Sequence, residues 1–132
     1  MSPARGHWLQ SPHLARAEGG AEALASFRRL PEGQQREVVH FGDALAEASP
    51  SLALAYALCA PEARARLSHE SFVRWARLAV ELASGELANR DAAAAFLRLD
   101  PVGVASCRPA FLEHWRGLFI KLQPVSRKPG GR

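Results

Sequence analysis

His40 and Asp43 stand three residues apart, the spacing that sets two side chains on one face of a helix. An imidazole beside a carboxylate could serve as an acid–base couple or a ligand pair. The other histidines offer less. His69-Glu70 and Glu113-His114 are sequence neighbours and do not share a helix face, and His7 and His13 lie close to the N-terminus. None has the spacing of a metalloprotease or zinc site, and no CxxC occurs. Cys59 and Cys107 sit in apolar surroundings, where a cysteine behaves as a small buried hydrophobe. There is no phosphate loop and no G-x-G-x-x-G. No catalytic, metal or cofactor site is expected from these residues.

The best candidate for a binding surface is cationic. Arg64, Arg66, Arg74 and Arg77 gather around the start of one predicted helix, as an interaction patch for an anion or an acidic partner would. A solvated face balanced by Glu62, Glu70 and Glu81 is the alternative. The formal charge of +4 comes from the ends. Residues 124–132 carry Arg127, Lys128 and Arg132 with no acid, whereas the body from 21 to 123 is neutral. A neutral body argues against a dedicated nucleic-acid face, because phosphate neutralisation supplies most of that affinity.

Positioning these groups falls to helices. Alanine and leucine dominate, valine and isoleucine are sparse and threonine is absent, which starves a strand of its preferred residues. At 48% hydrophobic, the chain has the apolar share of a globular domain. Residues 1–20 are punctuated by Pro3, Gly6, Pro12, Gly19 and Gly20 and read as an irregular N-terminal arm, with Trp8 and Leu9 able to dock it. A single helical domain spans 21–123, followed by the basic tail 124–132. Helices are expected over 21–30, over 34–48 with Val38, Phe41 and Leu45 as its stripe, and from Pro50 to Cys59 behind a Ser49 cap. Pro61 should open a short helix to Leu67. Ser68 should cap the next, which carries Phe72, Trp75, Ala79 and Leu82 and stops at Gly85. A helix over 87–99, a turn restarting at Asp100-Pro101 and a last helix from Pro109 complete the chain. The expected core includes Phe41, Tyr56, Phe72, Trp75, Phe96, Trp115 and Leu118.

These elements echo one another. Forty residues separate Trp75 from Trp115, Pro61 from Pro101, Leu78 from Leu118 and Leu82 from Leu122, and Tyr56 meets the aromatic Phe96 at the same offset. Such a period is that of a helical repeat that buries its apolar face on a neighbour. The expected fold is all-α, with six or seven helices in a short HEAT-like array (units about 51–82 and 91–122) or a non-repetitive bundle.

The run Ala95-Phe96-Leu97-Arg98-Leu99-Asp100-Pro101, paired with the helix Trp75-Ala76-Arg77-Leu78-Ala79-Val80-Glu81-Leu82-Ala83, resembles a known region. It is similar to the helices preceding the von Willebrand factor A domain in nitric-oxide-reductase-activation-type bacterial proteins. The likeness covers about 41–122. It implies a bacterial scaffold or adaptor working beside a MoxR-type AAA+ ATPase. The Asp-x-Ser-x-Ser metal motif of that domain is missing here, so no functional residue carries over.

The expected function is a non-enzymatic protein–protein interaction module, binding a partner or itself. The alternative is a small nucleic-acid-associated protein using its tail and the Arg64–Arg77 region. The first twenty residues lack a signal-peptide core and no run reaches membrane-spanning length, so a cytoplasmic setting is expected.

Overall fold

A computed structural model describes residues 5–87, 89–109, 111–113 and 115. The fold is all-α, with no strand among the described residues. A 3₁₀ turn at His7–Gln10 leads into α1 (Pro12–Arg16), α2 (Gly20–Arg28), α3 (Glu32–Ala48), α4 (Pro50–Arg66), α5 (His69–Ser84), α6 (Asn89–Leu97) and α7 (Pro101–Ser106). Residues 109, 111–113 and 115 are also helical. Leu118, Leu122 and the basic tail lie outside the described residues.

The centre of the fold is α4. Its buried residues, from Leu52, Ala53 and Tyr56 to Ala60, Ala63 and Arg64, take up more than half of its circumference. So wide a buried face needs several neighbours to cover it. The 3₁₀ turn, α1, α2, α3, α5 and α7 all pack against it. This enclosure corrects one expectation. Pro61 does not open a helix; it lies buried inside a continuous α4. A proline there removes one backbone hydrogen bond and costs about 3 kcal/mol in an exposed helix. The packing of the neighbouring elements on α4 offsets that penalty.

Residues 5–16 are a second correction, since they are not irregular. Trp8 and Leu14 are buried, and the 3₁₀ turn and α1 lie against α4. Ser11 caps α1, with its hydroxyl accepting from the His13 N–H at 3.2 Å. Gly42 makes room for the indole. A Cβ on Gly42 would fall 1.8 Å from Trp8 Cζ2, so α3 can accept Trp8 only at a residue without a side chain.

The remaining helix ends follow their residue chemistry. Ser68 caps α5 by accepting from the Ser71 N–H at 3.2 Å, and Gly85, with φ at +84°, stops that helix in the left-handed region. Asp100 Oδ1 accepts from the Gly103 N–H at 3.1 Å to cap α7. Glu62 reaches from α4 to the Arg108 N–H and Nε just before the helical residues that begin at 109.

One aromatic chain threads the core. Trp8 meets Tyr56 edge-on at 6.1 Å, and Tyr56 stacks on Trp75 at 5.2 Å. Trp75 meets Trp115 at 5.2 Å, and Trp115 meets Phe96 at 5.0 Å. Of the expected core, Tyr56, Phe72, Trp75, Phe96 and Trp115 are buried. Phe41 is only half-buried and packs from the side, 6.5 Å from Phe72.

Candidate functional site

The four arginines do not form one patch. Arg64 points inward, its side chain only 5% exposed. It sits one turn after Ala60 and three residues before Leu67, on a buried stripe, which is the one signal in the sequence that marks it as internal. Its guanidinium lies 4.7 Å over the Phe72 ring. It approaches Glu37 Oε1 of α3 at 3.0 Å, off the line of a hydrogen bond, and bonds His69 Nδ1 of α5 at 2.8 Å. Because a guanidinium only donates, Nδ1 accepts, and the imidazole proton belongs on Nε2, which lies 3.5 Å from Glu37 Oε2. Arg64, Glu37 and His69 therefore clamp three helices together. Arg64 is removed from any surface that could meet phosphate or an acidic partner.

Arg66 lies elsewhere, in a cleft of about 450 Å³ between α2 and α4. Arg29 and Arg108 share this cleft with Glu18, Glu22 and Glu62, so its charge is balanced internally.

Arg74 and Arg77 do share a site, and it includes an arginine that sequence reasoning passed over. With Arg98, at the end of α6, they line a shallow groove of about 310 Å³ between α5 and α6. Leu78, Ala95 and Leu99 supply its apolar residues, and Glu81 is its acid. Arg74 pairs with Glu70 one turn back at 3.3 Å, an exposed contact of little energetic consequence. Arg77 and Arg98 have no ion pair with any described residue. The signal for Arg98 was its spacing, three residues after Ala95 on the face of α6 that meets α5.

The His40–Asp43 couple does not form. His40 is exposed, and its ring packs edge-on against Phe41 at 5.2 Å. Asp43 instead holds the N-terminal segment: its Oδ1 accepts from the Gly6 N–H at 3.0 Å and from Trp8 Nε1 at 2.8 Å. Nothing local predicts bonds between groups 37 and 35 residues apart. Asp43 also lines the largest of the described cavities, about 690 Å³, beside the 3₁₀ turn and the α3–α4 junction. Trp8, Leu54, His7, His13 and Glu47 share its wall.

The cysteines are buried free thiols. Burial, reinforced by the Glu62 carboxylate, pushes the Cys59 thiol well above its ordinary range and Cys107 up to about 11. Neither has the lowered pKa of a reactive cysteine. No group of three metal-ligating side chains occurs among the described residues, and no described helix is long and apolar enough to cross a membrane.

The fold and its surfaces thus define the chain only as an all-α helical protein. No family model, curated protein or solved structure matches it.

Proposed function

We propose that the chain is a non-enzymatic protein-interaction module that docks an acidic, partly apolar segment of a partner protein in the α5–α6 groove. The observation that carries this reading is the lining of that groove: Arg74, Arg77 and Arg98 share it with Leu78, Ala95 and Leu99, and Glu81 is the opposing charge. Arginine above an apolar floor suits an interface, because the guanidinium bonds carboxylates in pairs while its stem covers apolar surface. The alternative of nucleic-acid association loses support in the folded body, since Arg64 is internal and Arg66 faces a balanced cleft. The resemblance to helices that work beside MoxR-type ATPases makes an AAA+ protein the first partner to try.

The test is retention of that partner at moderate salt by the wild-type chain, by Arg77→Glu/Arg98→Glu and by Arg36→Glu. Arg36 is exposed on α3, away from the groove. The groove variant should lose the partner while the α3 variant keeps it. Equal retention by all three overturns the reading.

A further inference from the structure

We propose that the cavity beside the N-terminal segment is a binding site for a small organic cation, an ammonium or guanidinium group carried on an apolar body. Its volume, about 690 Å³, falls within the range of roughly 300–1,000 Å³ typical of small-molecule sites. The wall is mostly apolar, with Trp8 and Leu54 contributing, and two carboxylates break it. Asp43 and Glu47 stand one turn apart on α3, so their charges repel. Among the described residues no lysine or arginine lines the cavity. Neither carboxylate forms an ion pair with any described residue.

The site is preorganised. Two N–H donors fix Asp43 through Oδ1, and Oδ2 bonds no described residue. Trp8 is held over Gly42 by the close approach already described. A carboxylate already oriented beside an apolar wall binds a cation without a further ordering cost. Anions are repelled by the same pair. The basic residues of the wall, His7 and His13, are exposed. This inference does not depend on the α5–α6 groove.

The experiment is calorimetric titration of the full chain at pH 8 with phenethylammonium and benzamidinium. 2-Phenylethanol and phenylacetate serve as neutral and charge-reversed probes of similar size. Both cations should bind about tenfold or more tighter than the alcohol, and phenylacetate should not bind. Glu47→Gln should weaken the cations about tenfold, with an unchanged thermal melt, because Glu47 is exposed and makes no bond within the described fold. In the ¹H–¹⁵N spectrum the Trp8 indole resonance, identified by its loss in Trp8→Phe, should move on binding. The proposal is overturned if neither cation binds at millimolar concentration. It is equally overturned if the alcohol matches them, if Glu47→Gln binds as wild type, or if the Trp8 resonance stays fixed. Binding of a lysine-bearing peptide but of no small amine also overturns it, by making the cavity a protein-docking face.

Discussion

At an offset of forty residues, several described positions of 51–75 and 91–115 share their burial and others do not. Tyr56 lies 5.2 Å from Trp75, and Phe96 lies 5.0 Å from Trp115. Leu52 and Ala92, Leu67 and Cys107, and Ser71 and Phe111 are likewise buried in pairs. Elsewhere the two regions part. Ala57 is 4% exposed, whereas its counterpart Leu97 is 63% exposed. Pro61 lies buried within α4, whereas Pro101 is exposed and starts α7. The 3₁₀ turn, α1, α2 and α3 cover α4, whereas α6 packs on α5 and, through Phe96, on Phe111 and Trp115. An aromatic cluster thus joins the two regions in one core, and the covering elements decide what becomes of the other faces.

Replacing the tryptophans tests that shared core most severely. Trp75→Ala and Trp115→Ala should each cost about 3–5 kcal/mol in denaturant unfolding. Because the two rings touch, the double variant should lose about 0.5–1.5 kcal/mol less than the sum of the two. Strict additivity would mean two separate cores.

Arg64 and Val104, forty residues apart, are both buried, one as a clamp and one as packing. Arg64→Ala should cost about 2–3 kcal/mol. That is less than the ~3–5 of a fully buried pair, because Glu37 keeps some contact with water. Arg64→Met, which restores volume, should cost clearly less. Equal losses would show that charge, not packing, makes the clamp.

The prolines sharpen the contrast. Pro61→Ala should raise stability by about 1 kcal/mol, by restoring a helical hydrogen bond against some lost ring contact. Pro101→Ala should lower it slightly, since proline suits the first turn of a helix. Shifts of the same sign would erase the distinction between an interior and an initiating proline.

The thiols distinguish the halves through pH. Both have raised pKa values in the folded state, so unfolded thiols ionise first as pH rises through their ordinary value of 9.0. Stability from this source is full below that pH and is lost above it. The thermal midpoint should therefore fall above about pH 9, and Cys59→Ala should flatten the fall more than Cys107→Ala.

The smallest effect is the most specific. The Tyr56 hydroxyl is buried without a partner among the described residues, and Phe96 is its counterpart without one. Burial, and then the Glu37 carboxylate, hold the phenol far above its usual pKa. Tyr56→Phe should leave stability unchanged or raise it by up to about 1 kcal/mol. A clear loss would reveal a buried water bridging the hydroxyl.

Local chemistry was enough to read the all-α class, the Ser68 cap, the Gly85 stop and the burial of Trp75 and Trp115. Each follows from propensity, capping or a spacing of three and four, interactions that span a turn or two of chain. The fates of Pro61, Arg64 and Trp8 were decided only in three dimensions. Whether a proline is tolerated inside a helix, or an arginine drawn into a core, depends on what encloses it. A gap at Gly42 and a carboxylate at Asp43 captured the indole of Trp8 from more than thirty residues away. The groove at Arg77 and Arg98 likewise exists only because α6 folds onto α5. Contacts of that range leave no periodic trace in the residues that make them, because they are selected by packing against distant partners rather than by neighbours along the chain.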